Sequence, residues 1–338
     1  MKPKIGIILP QHYLNPDFLG IEHLKIISSL PLEKIDSLIV DVKDIFGVLY
    51  MNIDSKYKNW RINKAYVSYF NEIIKLCAEY DIKKLFGVPC LYDNSITEES
   101  YFVVNEYKIV MPGIICPNKN EYKELLRNLF TEIYTKYNND SFFLPFLRYI
   151  PFTKMGITCL CDDCNKKYKK TFGRDLNVEN IRNDIIEFKN WTQWKCENIK
   201  DFVDDIRSGI SEDINFSIEL DIEPIKSLNQ GIIINDGHDY KILAKSIDEF
   251  IIHYYDSSKL PKDIHSKSDL AFNISLLNVA DIMSMNKPVS LFFWNIGSYN
   301  DFKKKYLLSK KIMPDYAYFL IFSNQTYYFE KLVEEGLF

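Results

Sequence analysis

The chain has 338 residues, of which 47% are hydrophobic and 26% are charged, and its formal net charge is −4. This balance excludes collagen-like, low-complexity and intrinsically disordered chains. No basic block stands out, so we expect no nucleic-acid partner, because phosphates are bound through clustered lysines and arginines. The length allows two ordinary domains, but α/β barrels of this size often fold as one unit. We expect a single domain over residues 1–338.

The apolar runs and the cysteines of the sequence indicate in which cellular compartment the protein is expected. The N-terminal apolar run is too short for a signal peptide, and no stretch approaches the roughly 18 apolar residues of a membrane span. We therefore expect a cytoplasmic protein with no membrane partner. The seven cysteines are odd in number, which argues against a disulfide framework and favours metal binding where cysteines cluster.

Short, almost continuously apolar runs recur along the chain, as is typical of parallel strands that are buried on both faces. Eight such strands are predicted: Ile5–Leu9, Ser37–Val42, Leu85–Cys90, Phe142–Leu147, Phe216–Ile222, Phe250–Tyr255, Val289–Trp294 and Tyr316–Phe322.

Amphipathic segments separate these runs, and the main ones are Lys64–Glu79, Glu121–Tyr137, Asn183–Ile206, Leu243–Ile247 and Phe302–Ile312. Strand–helix alternation predicts a parallel sheet with right-handed crossovers. Eight strands in this length fit a closed (β/α)₈ TIM barrel with extended βα loops. An open doubly wound sheet is the alternative, but no glycine-rich dinucleotide loop or Walker loop follows the first strand.

The residues that carry chemistry in such a barrel follow the carboxyl ends of the strands. Aromatic, acidic and amide side chains stand there. Aromatic faces suit sugar rings, carboxylates suit hydroxyl groups, and an arginine suits an anion or carboxylate. The alternative is that the many aromatic residues belong to the core or rim and that the arginine forms a structural ion pair. The residues that we predict to bind substrate are His12, Tyr92, Asp93, Arg148, Tyr254 and Trp294.

Carboxylates on the fifth predicted strand are the candidates for acid/base catalysis. Glu219 and Asp221 are two residues apart, which places them on the same face, and like charges at close range raise a pKa as a general acid requires. Further along, Asp239 could orient His238 as a base. The alternatives are that Asp221 lies in water past the strand and that His238 is a turn residue. The predicted catalytic residues are thus Glu219, Asp221, His238 and Asp239.

Three cysteines, Cys159, Cys161 and Cys164, lie close together just past the fourth predicted strand. Thiolates at this spacing can converge on one tetrahedral ion, and zinc prefers such ligands. Cys116, which ends a strand-like run on the preceding βα loop, is the best candidate for the fourth ligand. Four cysteines leave no open coordination position, so the predicted Zn²⁺ is structural. The other three cysteines are predicted to be buried apolar side chains.

The sequence around these cysteines resembles a known class of enzymes. The segment Cys116-Pro117-Asn118, the strand region Phe142–Tyr149 and the C-x-C-x-x-C motif are similar to zinc-bearing glycoside hydrolase barrels, namely family 42 β-galactosidases and hypothetical glycosyl hydrolase barrels. Residues 236–254 are similar to a second motif of those barrels. The resemblance covers about the central half of the chain. It implies a TIM barrel, a four-cysteine zinc site and a carbohydrate substrate.

The catalytic pair that this resemblance implies is missing. It would be one glutamate at the end of strand 4 and another at the end of strand 7, but Leu144–Tyr149 and Phe292–Asn295 contain no carboxylate. Two hypotheses follow. The first is a glycoside-hydrolase-like enzyme that acts on a glycoside or related polyol through Glu219 or Asp221. The second is a barrel that binds a sugar or peptide without cleaving it, or carries out a tailoring step in a biosynthetic pathway.

A nucleic-acid-modifying barrel is a third alternative. The tRNA-guanine transglycosylases also carry a C-x-C-x-x-C motif, but their fourth zinc ligand is a histidine about one helix downstream. Here no histidine follows Cys164 before His238, and the acidic charge balance disfavours this class as well.

Overall fold

Eight parallel strands close into a barrel in the computed structural model of the protein. The structure describes residues 4–9, 25, 27–53, 60–149, 157–221, 233–234, 236–255, 265–294, 298–312, 316–320 and 324–337; within these, residues 65, 221, 254–255, 265–271, 273–275, 294, 316–320 and 324–326 are described by their backbone alone. Twelve strands lie in these ranges: β1 (Lys4–Leu9), β2 (Ser37–Asp41), β3 (Val48–Leu49), β4 (Arg61–Ile62), β5 (Lys83–Gly87), β6 (Phe102–Val104), β7 (Val110–Ile115), β8 (Ser141–Leu144), β9 (Asn215–Asp221), β10 (Glu249–Tyr255), β11 (Val289–Trp294) and β12 (Tyr316–Leu320).

The barrel is formed by β1, β2, β5, β8, β9, β10, β11 and β12, in that order, with β12 paired to β1. This confirms the predicted α/β barrel. The remaining strands form two small pairs outside it: β3 with β4, and an antiparallel hairpin of β6 and β7. The hairpin lies within the loop that follows β5, and it ends immediately before Cys116.

The predicted barrel strands are all present, and the differences lie at the strand ends. The third strand was expected over Leu85–Cys90 and occupies Lys83–Gly87, while the fourth ends at Leu144. The fourth strand ends early because Phe146 has a φ of +56°, a left-handed conformation that a β-strand does not accommodate. The residues after Leu144 therefore form a turn at the carboxyl end of the barrel.

Alternate residues of the strands point into the barrel and fill its middle. One layer of interior side chains consists of Ile8, Ile39, Leu85, Phe143, Ile251 and Phe292. Each of them is at most 3% exposed, so these six side chains are closely packed in the middle of the barrel. Residues two positions further along each strand point the same way, nearer to the carboxyl ends. The mouth of the barrel, at the carboxyl ends of the strands above this layer, is where TIM-barrel enzymes carry their active sites.

Helices pack around the barrel, and within the described ranges they are α1 (Lys64–Glu79), α2 (Asn120–Tyr137), α3 (Asp162–Phe172), α4 (Val178–Asn183), α5 (Ile185–Arg207), α6 (Tyr240–Leu243), α7 (His265–Ser284), α8 (Tyr299–Ser309) and α9 (Asn324–Glu334). Four predicted amphipathic segments correspond to α1, α2, α5 and α8, whereas the segment predicted over Leu243–Ile247 shares only Leu243 with α6. The sequence did not predict α3, α4, α7 or α9. In α7, for example, serine and asparagine residues interrupt the apolar stripe. None of the helices in the described part of the chain is both long and apolar enough to cross a membrane.

Candidate active site and metal centre

Four cysteines converge on the loops that follow the third and fourth barrel strands. The sulfur atoms of Cys116, Cys159, Cys161 and Cys164 all lie within 4.8 Å of one another. The distance from the Cys116 sulfur is 3.4 Å to Cys164 and 3.5 Å to Cys161. A tetrahedral ion at about 2.3 Å from each sulfur would separate the sulfurs by about 3.8 Å. The predicted cluster is therefore present, with Cys116 as its fourth member, and it could hold a metal ion.

Hydrogen-bond donors surround these sulfur atoms. The backbone nitrogens of Val104 and Asn118 lie 3.4 Å from the sulfurs of Cys159 and Cys116, respectively. The side-chain amide of Asn118 donates to the Cys164 sulfur at 3.2 Å. Donors of this kind stabilise the thiolate, which is the form of cysteine that binds metal.

Burial disfavours the thiolate form of these cysteines unless a cation is present. It raises the pKa of the Cys116 and Cys164 thiols above their ordinary value, because a thiolate loses its hydration in the interior. A divalent cation supplies the positive charge that deprotonates coordinating thiols. The donor set therefore fits a metal ion. It fits a closed site, because four protein ligands complete a tetrahedron and leave no position for a substrate.

The carboxyl group of Glu219 and the imidazole of His253 meet inside the barrel. Glu219 pairs in register with Ile251 of the apolar layer, and His253 lies two residues further along β10, so both side chains point inward. Nδ1 of His253 lies 2.7 Å from Oε1 of Glu219, and the imidazole stacks on the ring of Phe292 with 4.7 Å between centres and 19° between planes. Glu219 and His253 are 8% and 7% exposed, so the pair is buried without being sealed.

This pair can take up or release a proton at the mouth of the barrel. A carboxyl group held through one oxygen keeps its second oxygen in a defined position, and an imidazole can either donate or accept a proton. Those are the requirements of a general acid or base. The sequence analysis identified Glu219 and missed His253, although its spacing of two from Ile251 would have placed it on the interior face.

A second carboxylate enters the barrel from β2. Asp41 lies two residues after Ile39 of the apolar layer, and Gly87 lies two residues after Leu85 on the neighbouring strand. A Cβ atom on Gly87 would lie 2.0 Å from Oδ1 of Asp41. The carboxylate therefore occupies the space that a larger residue at position 87 would fill.

The turn after β8 brings two of the predicted substrate-binding residues together. The carbonyl oxygens of Pro145 and Phe146 accept hydrogen bonds of 3.0 and 3.2 Å from backbone N–H groups of residues 90–91. The ring of Phe146 packs against Tyr92 with 5.6 Å between centres. The guanidinium carbon of Arg148 lies 5.9 Å from the centre of the same ring. Tyr92 and Arg148 thus flank one aromatic side chain beside the mouth.

His238 holds this turn in place. Its Nε2 lies 2.5 Å from the carbonyl oxygen of Leu147, while Nδ1 has no hydrogen-bond partner in the described part of the chain. Burial lowers the pKa of His238 to about 4, so the ring is neutral at pH 7 and donates from Nε2. The expected pairing with Asp239 is not formed. The Asp239 carboxylate instead accepts two backbone N–H groups at the start of α6, as an N-cap does.

Asp93 lies in the interior and not in the mouth. Its carboxylate is 2.9 Å from Nζ of Lys43, and both side chains are 0% exposed. It also accepts the indole N–H of Trp60 at 2.9 Å and the hydroxyl of Tyr122 at 3.3 Å. Burial alone would raise the pKa of Asp93, but Lys43 and the hydrogen bonds from Ser95 and Trp60 outweigh burial and lower it. The network joins the loops after the second and third barrel strands, which makes Asp93 a structural anchor in the observed conformation.

Four predicted site residues cannot be placed by their side chains. His12 lies outside the described residues, and Asp221, Tyr254 and Trp294 are described by their backbone. Asp221 pairs in register with His253, whereas Tyr254 pairs with Phe293. The site roles of these four residues stay predictions.

The fold is similar to that of several solved glycoside hydrolases. No family model matches the sequence, and no curated protein matches it. The catalytic domain of a β-amylase from Paenibacillus polymyxa aligns over 99% of this chain and 98% of its own, with 10% identity and a TM-score of 0.67. A family 5 lichenase from Caldicellulosiruptor sp. F32 aligns over 94% of this chain and 83% of its own, with 14% identity and a TM-score of 0.51. At such identities the likeness is one of fold. The chain therefore has the α/β-barrel fold of these glycoside hydrolases, and its resemblance to family 42 stays a prediction.

Proposed function

We propose that the protein is an enzyme that acts on a glycoside or related polyol at the mouth of the barrel, with Glu219 as its acid/base residue. The observation that carries the proposal is the 2.7 Å contact between Glu219 and His253 inside the barrel. A carboxyl group in this position is fixed by its neighbour and faces the interior of the barrel, at whose carboxyl end TIM-barrel enzymes carry out their chemistry.

Glycoside hydrolysis needs a proton donor for the leaving oxygen and a carboxylate that activates water or attacks the sugar. In this proposal Glu219 donates the proton, and the second carboxylate is Asp221 or Asp41. The pairing of Asp221 in register with His253 supports Asp221 in this role. The inward position of Asp41 beside Gly87 supports Asp41. Neither His238 nor Asp239 is given a chemical step, because His238 binds a backbone carbonyl and Asp239 caps a helix.

We propose that the metal of the four-cysteine cluster is zinc and that its role is structural. The all-sulfur donor set supports zinc, because zinc prefers tetrahedral thiolate sites. The cluster joins Cys116, which follows the β6–β7 hairpin, to the start of α3. A metal here would fix the loops that follow β5 and β8, and it would thereby stabilise the wall of the mouth that carries Tyr92 and Arg148.

A second candidate function is binding or tailoring of a sugar or peptide without hydrolysis. The ends of strands 4 and 7 favour it, because β8 is followed by Pro145 and β11 runs through Phe292 and Phe293, where the resembled enzymes carry their two glutamates. Hydrolytic turnover separates the two candidates, since neither a binding protein nor a tailoring enzyme would hydrolyse the glycosidic bond.

The test compares three proteins on a panel of nitrophenyl glycosides and plant and bacterial polysaccharides, with release of nitrophenol or reducing ends as the readout. The proposal predicts turnover by the wild type and a loss of roughly 10²–10⁴-fold in kcat for Glu219→Gln. Glu249→Gln is the matched control, because Glu249 is also a buried carboxyl group but lies at the amino end of β10, bonded to Ser217 and Ser290. Full activity of Glu219→Gln would rule out its catalytic role, and binding without turnover by the wild type would support the second candidate.

A further inference from the structure

The turn after β8 holds a conformation that its own residues disfavour. Phe146 has a φ of +56°, which is unfavourable for a bulky residue and persists only where the surroundings impose it. On one side the carbonyls of Pro145 and Phe146 bind the segment after β5. On the other side Leu147 accepts from His238, and the N–H of Tyr149 donates to a carbonyl of the loop after β9 at 3.0 Å. The turn is thus fastened at four points.

The hydrogen bonds of this turn fix the position of Arg148. It lies between Leu147 and Tyr149, so its backbone is fixed on both sides, and its half-buried side chain lies over the ring of Phe146. An aromatic ring that packs against a guanidinium group limits the orientations of the guanidinium plane, while the N–H groups at its edge stay directed away from the ring. Arg148 follows β8, and Glu219 lies on the neighbouring strand β9, so the arginine is on the same side of the barrel as the proposed acid/base residue.

We propose that the substrate is an acidic carbohydrate whose carboxylate or sulfate group is bound by Arg148 at the mouth of the barrel. This inference rests on the proposed function and names its substrate class. A guanidinium pairs with two oxygens of one anionic group, such as a carboxylate, through two parallel N–H bonds. Tyr92 and Phe146 provide adjacent aromatic faces for the sugar ring. The carboxylate of Asp41 would repel an anion elsewhere in the mouth, so Arg148 also fixes the direction in which such a sugar enters.

The test measures binding and turnover separately. Isothermal titration calorimetry on the Glu219→Gln variant would compare methyl glycosides of gluco, galacto and manno uronic acids with their neutral parents, and 6-sulfated methyl glycosides with both. We expect at least one acidic sugar to bind about tenfold more tightly than its neutral parent. Arg148→Gln should abolish this preference and Arg148→Lys should retain part of it. Arg182→Gln is the control, because Arg182 lies on α4 and not on the turn, and it pairs with Glu106 of the β6–β7 hairpin.

Each outcome supports or overturns the inference. A carboxylate preference that disappears in Arg148→Gln identifies a uronate substrate, and a sulfate preference that disappears identifies a sulfated one. Equal binding of acidic and neutral sugars, no binding of any of them at millimolar concentration, or a preference that survives in Arg148→Gln would overturn the inference. Acidic sugars that bind through Arg148 but are not cleaved by the wild type would leave the inference standing and remove the hydrolase proposal.

Discussion

Glu219 and His253 project from adjacent strands into the same barrel, and Nδ1 of the imidazole lies 2.7 Å from Oε1 of the carboxyl group. The contact follows from register, because Glu219 pairs with Ile251 and His253 is the next inward residue of β10. The stack on Phe292 holds the ring plane. The strand pairing, and not a flexible loop, thus sets the geometry of the proposed acid/base group.

Removing either member of this pair should reveal an interaction between them. A carboxyl or imidazole that is buried without its partner costs about 1–3 kcal/mol, so His253→Phe and Glu219→Gln should each destabilise the protein. The double variant should cost less than the sum, with a coupling of about 1–2 kcal/mol in a double-mutant cycle. Urea unfolding at pH 7 measures these free energies. Additive effects within about 0.3 kcal/mol would show that the two groups do not interact.

The cysteine cluster should make stability depend on metal. Purified protein should contain about one zinc ion per chain by inductively coupled plasma mass spectrometry, and Cys116→Ser should lose it, because three thiolates hold zinc less firmly than four. Chelation during partial unfolding should lower the melting temperature of the wild type. Cys77→Ser is the control, since this buried cysteine lies on α1. Full zinc content in Cys116→Ser would show that the four sulfurs do not form the site.

His238 should make the folded state sensitive to mild acid. Its pKa is about 4 in the folded chain against an ordinary 6.5, so the unfolded chain binds the extra proton first as the pH falls. The stability from a neutral His238 is therefore fully present above pH 6.5 and is lost on the way down to pH 4. Its size is about 3 kcal/mol.

His238→Gln isolates this effect, because an amide can still donate to the Leu147 carbonyl but does not titrate. The free energy of unfolding, measured at intervals from pH 7 to pH 4, should fall more steeply for the wild type than for the variant. Parallel curves would show that His238 is not the residue responsible.

The features that could be predicted from the sequence are those that form patterns among neighbouring residues. Continuous apolar runs located the barrel strands, and the spacing of Cys159, Cys161 and Cys164 located the cluster. Cys116 could be proposed as the fourth ligand because it ends a strand-like run. The apolar runs and the three-cysteine motif each lie within a few consecutive residues, so the sequence alone contains the information that locates them.

The features that could not be predicted depend on contacts between distant segments. The contact of His253 with Glu219 requires the register of two strands, and the burial of Asp93 requires Lys43 and Trp60 from another loop. The left-handed turn at Phe146 has no glycine to mark it and is imposed by its neighbours. Asp239 looked like a partner for His238 because they are adjacent in sequence, whereas its side chain caps α6.

The most direct test of the account is a crystal structure of Glu219→Gln soaked with the sugar that binds this variant most tightly in titration calorimetry. The account predicts a glycosidic oxygen within about 2.6–3.2 Å of the amide group that replaces the carboxyl group of Glu219 in this variant, with the sugar ring beside Tyr92 at the barrel mouth. A sugar bound elsewhere on the protein, with the mouth containing only water, would contradict it.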